Sequence, residues 1–125
     1  VLPALPDFDA SYCRSWQGET ELYWPPLQCH IRFETGIGQG ISRARLGSGP
    51  VTLRLRSGGE TLRPHPAAAR RSLKNLLQQH AVPPWQRERL PLLYCGEKLV
   101  AVVDVAIAAG YQAQEGEAGI VVACG

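Results

Sequence analysis

Eight of the thirteen Lys and Arg residues fall in one window: Arg54, Arg56, Arg63, Arg70, Arg71, Lys74, Arg87 and Arg89. Only Glu60 and Glu88 oppose them there, so the window carries +6 and the remainder, with five basic and nine acidic residues, carries −4. The net charge of +2 therefore conceals a polarised chain, and polarity of that kind favours a polyanionic partner. Side chains suited to bond-making chemistry are scattered by comparison. Asp7 and Asp9 lie in a tail-like stretch and Glu115 and Glu117 in a loop-like one, so neither is a convincing acid–base pair. No Ser or Cys has a neighbour pattern that suggests an activated nucleophile. His65, flanked by prolines, reads equally as a phosphate or base contact and as an ordinary loop histidine. His80 continues an apolar stripe and reads as a packed core-edge residue. Trp85 is first a structural anchor, although its basic neighbours Arg87 and Arg89 keep base stacking open. No catalytic constellation emerges.

Two glycine-rich stretches invite a nucleotide-loop reading, and both fail it. Gly36-Ile37-Gly38-Gln39-Gly40 lacks the third glycine of GxGxxG and a convincing helix after it, so a tight turn explains it better. Ser57-Gly58-Gly59 is similar to the phosphate loop of ATP pyrophosphatases, which continues with Asp and Ser. Here Glu60, Thr61 and Leu62 follow, so the expectation is a turn with a residue at positive φ. Cys13, Cys29, Cys95 and Cys124 share no CxxC spacing and do not cluster in sequence with His30, His65 and His80. Four reduced, mostly buried thiols in a cytosolic protein is the preferred reading over a metal site or a disulfide framework.

These residues need a scaffold, and 125 residues suffice for one domain with one core. Apolar and charged contents of 45% and 19% exclude wholesale disorder. No apolar run approaches the roughly 20 residues that span a bilayer. The segment 1–18 has no basic region leading into an apolar one, so it reads as a linker or a connection from an upstream domain, not a signal peptide. The absence of any Met suggests a piece of something larger.

Glu21–Trp24 fits a short strand stopped by Pro25-Pro26. Cys29–Glu34 alternates cleanly, with Cys29, Ile31 and Phe33 on one face and His30, Arg32 and Glu34 on the other. Residues 41–46 and 51–56 suggest a hairpin across Gly47–Pro50. Its simplest register sets Arg43 opposite Arg54 and puts Arg43, Arg45, Arg54 and Arg56 on one outer face. Like charges so placed destabilise a sheet, and an external anion would relieve them. From Pro66 the pattern turns helical: Ala69, Leu73, Leu76, Leu77 and His80 form one stripe, with Arg70, Arg71 and Lys74 opposite. Cations in the first half of a helix oppose its dipole, so this face too is better placed beside phosphate. For one helix alone, a solvated basic face is the stronger account; two adjacent elements with the same oddity favour binding. Pro83-Pro84 ends the helix, and Trp85–Arg89 follows as a short helical turn. Residues 91–94, a turn at Cys95–Glu97, an apolar central strand over 98–107 and a closing strand over 119–124 complete the pattern. The expected fold class is α+β, mostly antiparallel sheet with one main helix.

The ordered blocks RSGGETLRP (56–64), RRSLKNLL (70–77), VPPWQRERLPLLY (82–94) and LVAV (99–102) resemble the C-terminal domain of tRNA(Ile)-lysidine synthetase. The combination covers about half the chain and is specific where each piece alone would be weak. Residues 19–50 resemble the preceding strands only loosely. The resemblance implies a fold similar to a tRNA-synthetase β-subunit module, a C-terminal tRNA-binding domain over 19–125, and tRNA(Ile) as partner, held by its acceptor stem. It implies that the whole enzyme uses ATP to adenylate C2 of the wobble cytidine and that lysine displaces AMP, changing codon reading from AUG to AUA. ATP and lysine then belong to an N-terminal domain bearing SGGxDS, a motif this sequence lacks, so the chain itself is expected to need no cofactor and to be catalytically inert in a cytoplasmic, membrane-free setting. Arg54, Arg56, Arg63, Arg70, Arg71 and Lys74 are the first tRNA-binding candidates, with His65, Arg87 and Arg89 behind them. Their number predicts a steep salt dependence. The competing expectation uses the same basic face for intramolecular packing against upstream domains or for a homodimer.

Overall fold

The computed structural model describes residues 12–47, 50–64, 67 and 69–124. In chain order its elements are β1 (Cys13–Trp16), β2 (Glu21–Trp24), β3 (Cys29–Ile37), β4 (Ile41–Ser42), α1 (Arg43–Leu46), β5 (Val51–Arg54), β6 (Thr61–Leu62) and β7 (Arg71–Ser72). Then follow α2 (Leu73–Gln79), α3 (Pro84–Arg87), β8 (Leu92–Cys95), β9 (Lys98–Val102), β10 (Ala106–Ile107) and β11 (Ala118–Cys124). A five-stranded sheet runs β1-β5-β8-β9-β10, a four-stranded sheet runs β2-β3-β11-β4, and β6 and β7 form a two-stranded ribbon. Every pairing is antiparallel. The α+β reading with mostly antiparallel sheet is thus the observed fold class.

Apolar patterning explains the layers. In β2, Leu22 and Trp24 are buried while Glu21 and Tyr23 are exposed; in β3, Ile31 and Phe33 are buried between exposed His30, Arg32 and Glu34. These side chains meet Leu53, Leu93 and Val100 of the five-stranded sheet in the main core. The opposite face of that sheet buries Leu92 and Val102 against Leu62 of the ribbon and Leu73, Leu76 and Leu77 of α2. The five-stranded sheet is therefore covered on both faces, which is why 99–102 reads as apolar throughout. Burying two large faces is the dominant stabilising term for a chain of this size.

Several expectations are corrected. Residues 41–46 and 51–54 do not form a hairpin. Ile41–Ser42 pairs with Gly119–Ile120, whereas Val51–Arg54 pairs with β1 and β8. The buried Ser42 side chain accepts from the Arg45 N–H at 3.2 Å and starts a helical turn, so Arg43 and Arg45 leave the strand altogether. The connection Ser48-Gly49 lies outside the described residues. The main helix begins at Leu73, not near Pro66: Ser72 caps it by accepting from the Asn75 N–H at 3.2 Å, and Arg71 pairs with Leu62 in the ribbon. Pro66 lies outside the described residues, and His80, expected at the core edge, is exposed. The run 98–107 is two strands, folded back at Asp104 (φ +68°) so that Ala106 pairs with Val102. β11 does not close a sheet edge but lies between β3 and β4.

Within the segment 1–18, residues 1–11 lie outside the described residues, and Cys13–Trp16 is an edge strand hydrogen-bonded to Val51–Arg54. The thiol expectation is corrected as well. Cys29 and Cys124 form a disulfide across 95 positions of sequence, Cys13 is exposed and Cys95 half-buried. The antiparallel pairing that sets Cys124 opposite Ile31 brings the first residue of β3 beside the last of β11, a proximity that sequence spacing does not reveal. No described helix is long and apolar enough to cross a membrane.

Candidate nucleic-acid interface

Ser57-Gly58-Gly59 leads into the ribbon as a turn, with Gly58 at φ +103° and Gly59 at φ +78°. The Glu60 carboxylate accepts the Ser57 N–H at 2.7 Å, the Ser57 hydroxyl at 3.0 Å and the Gly58 N–H at 3.0 Å. Donors that a phosphate loop would offer outward are thus spent on an internal anion, and the loop does not fit a nucleotide phosphate. Partial burial pushes the Glu60 carboxyl up, but those N–H groups and the Ser57 hydroxyl outweigh it and hold the carboxyl below its usual range. The Glu60 carbonyl also accepts from the Leu73 N–H at 2.9 Å, tying the turn to α2.

Two hollows flank the ribbon. Arg71 opens β7 and Arg70 precedes it, and the two side chains line different hollows. Arg70 donates to the Thr61 hydroxyl at 3.2 Å and lines a cleft of about 600 Å³ shared with Arg63, Lys98, Tyr94 and Tyr111. Arg71 donates to the Gln79 side chain and lines a second hollow of about 550 Å³, walled by Leu76, Val102, Val105, Ile107 and Val122. A shared basic helix face for the two arginines is therefore not what forms.

The first cleft is cationic on balance. Arg63, Arg70 and Lys98 line it with Glu60 and Glu97. Glu60 is held by its hydrogen bonds, and Glu97 lies 3.9 Å from Arg54. Among the described residues no carboxylate comes within ion-pair distance of Arg63, Arg70 or Lys98. Arg54 buttresses the β8–β9 turn: its side chain donates to the Thr52 hydroxyl at 3.1 Å and the Gly96 carbonyl at 3.2 Å, and lies 4.5 Å from the Tyr94 ring centre. Burial, then the charge of Glu60, pushes the Tyr94 phenol up against the opposing pull of Arg54. Arg45 donates to the Gly110 carbonyl at 3.3 Å, placing another guanidinium near Tyr111.

The remaining candidates divide by what they touch. Arg87 donates to the Val82 carbonyl at 2.7 Å and Arg89 to the Pro26 carbonyl at 2.8 Å, while the Arg89 carbonyl accepts from the buried Trp24 indole at 2.7 Å. Both arginines therefore hold the α3 region against its neighbours. Arg56 is half-buried and Lys74 is exposed in the first turn of α2. Trp85 is half-buried in α3. His65 lies outside the described residues. Lys98, Tyr94 and Tyr111 were missed by sequence reasoning, since each stands alone in an apolar or turn segment and only the tertiary fold assembles them. Arg45, expected on an anion-facing hairpin with Arg43, Arg54 and Arg56, instead donates to the cleft-lining Gly110 from α1. Among the described residues no three His, Cys, Asp or Glu side chains converge as a metal site.

Comparison with known proteins places the chain in a family. Residues 51–124 match the family described as TilS substrate C-terminal domain. The tRNA(Ile)-lysidine synthase of Nitrosomonas europaea is 45% identical over 108 residues, covering 86% of this chain and 24% of that protein. The tRNA(Ile)-lysidine synthase of Coxiella burnetii is 36% identical over 116 residues, covering 93% of this chain and 26% of its own length. The chain thus spans about a quarter of the relatives it matches. A solved structure described as the TilS C-terminal domain superposes with a TM-score of 0.72 at 18% identity, covering 91% of this chain and 95% of that one. That likeness concerns the fold.

Proposed function

This chain belongs to the TilS substrate C-terminal domain family, and on that premise we propose that it is the tRNA-docking domain of a tRNA(Ile)-lysidine synthetase. The whole enzyme ligates lysine to C2 of the wobble cytidine with ATP, and this domain grips the acceptor stem so that the right tRNA presents its anticodon to a catalytic domain upstream. ATP and lysine bind there and not here, and the setting is cytoplasmic. One observation carries the reading: Arg63 and Arg70 of the ribbon region and Lys98 of β9 converge on one cleft without an ion-pair partner among the described residues. An arrangement that gathers like charges from separate segments is unfavourable in isolation and is relieved by phosphate. Arg56 and Lys74 are further candidates from the same basic window of sequence, whereas Arg54, Arg87 and Arg89 hold the scaffold through their hydrogen bonds.

Acceptor-stem and anticodon-stem RNAs titrated at two salt concentrations test the proposal. The acceptor stem is expected to bind more tightly, with affinity falling steeply as salt rises. Arg63→Glu combined with Lys98→Glu is expected to abolish that preference. If the double reversal leaves affinity and salt slope unchanged, docking through this cleft is wrong; if it dissociates a dimer instead, the basic face serves self-association.

A further inference from the structure

Phosphate contacts explain the cations of the 600 Å³ cleft but not its tyrosines or its concavity. A duplex rests on a convex or shallow surface and is too wide to enter a hollow of this size, whereas one nucleotide fits the range usual for small-ligand sites. The lining combines three kinds of group that an unpaired nucleotide needs. Arg63, Arg70 and Lys98 supply the anion-binding side. Tyr111, half-buried against the main core in the turn Ala109–Tyr111, supplies an aromatic wall held by its N–H bond to the Ala108 carbonyl at 2.9 Å. Tyr94 supplies a phenol hydroxyl able to donate. Beside Tyr111, Gly110 has open space where a side chain would stand, and Arg45 reaches its carbonyl.

We propose that this cleft takes a single unpaired nucleotide at the end of the docked RNA stem, with its phosphate on Arg63, Arg70 and Lys98 and its base against Tyr111. The assignment rests on the docking reading and adds to it a site that distinguishes a stem with a free 3′ nucleotide from a flush one. Stacking on an aromatic side chain is tolerant of base identity, so the cleft recognises the presence of the nucleotide more than its sequence. Glu60 and Glu97 in the same lining disfavour a second phosphate.

The test uses two stem-loop RNAs, one ending flush and one carrying 2-aminopurine as a single unpaired 3′ nucleotide, each titrated into the chain. The overhang is expected to tighten binding by about 5- to 150-fold, as one stacked base does elsewhere, and the 2-aminopurine emission is expected to be quenched. Tyr111→Leu should remove both effects while its melting temperature reports that the fold is kept, and Tyr111→Phe should restore them. Should the two RNAs bind the unaltered chain equally with no quenching, the nucleotide site is wrong while docking stands. Should neither RNA bind, the docking reading fails and takes this inference with it.

Discussion

The hollows on either side of the β6–β7 ribbon are close in size, about 600 and 550 Å³, and opposite in chemistry. One gathers Arg63, Arg70 and Lys98 around two tyrosines; the other is walled by Val102, Val105, Ile107 and Val122, with Arg71 turned aside to Gln79. Adjacent arginines serve different sides, and because both precede α2 no helical period gathers them onto one face. The ribbon thus divides the cationic side, where the proposed docking would take place, from an apolar packing side.

The largest expected effect lies on the packing side. Its rim is fixed where Asp104 accepts the Cys124 N–H at 3.0 Å, next to the Cys29–Cys124 bond. Reducing that bond releases a 95-residue separation, and unfolding free energy should fall by about 2–4 kcal/mol in denaturant titrations. RNA affinity below the melting range should not change. A parallel loss of affinity would erase the division between the two sides.

On the binding side, Arg63→Glu should weaken tRNA binding by about ten-fold, the scale of one charge-assisted contact, and reduce the salt slope by about one phosphate. Lys98→Glu should match it, and Arg87→Glu should instead lower the melting temperature, because Arg87 is bonded to Val82. Equal binding losses at Arg63 and Arg87 would blur the comparison.

A smaller effect sharpens the electrostatics. Glu60→Gln replaces charge-assisted bonds by neutral ones and should cost roughly 1 kcal/mol of stability, while removing a negative charge from the cleft and strengthening RNA binding. The pH dependence has a definite sign. The folded-state carboxyl lies below its usual 4.5, so its stabilisation is full above the unfolded value and is lost as pH falls through the lowered one. The Ser57 and Gly58 amide resonances should therefore shift with a midpoint below 4.5, and Glu60→Gln should abolish the transition.

Legibility of the sequence followed the range of the forces. The strands 21–24 and 29–34 were readable because alternation is local, and so was the turn nature of Ser57–Gly59, because the residues after the glycines decide it. The start of α2 was misplaced since the stripe at Ala69 is mimicked by chance, whereas the capping bond of Ser72 with Asn75 sets the true boundary. The 41–46 and 51–56 pairing failed because two adjacent alternating segments need not share a sheet, and here Ile41–Ser42 is claimed by β11. Charge clustering marked the stretch of chain that supplies Arg63 and Arg70 to the cleft, yet Lys98, Tyr94 and Tyr111 join them only through contacts remote in sequence, such as the Ala109 N–H bond to the Arg63 carbonyl. The disulfide was invisible for the same reason.

The division made by the ribbon is tested most directly by reversing its two adjacent arginines one at a time and measuring tRNA(Ile) affinity across a salt series. Arg70→Glu should weaken binding by about ten-fold and flatten the salt slope by about one phosphate, while Arg71→Glu leaves both near their starting values. Equal losses from the two variants, or the larger loss from Arg71→Glu, would contradict the account.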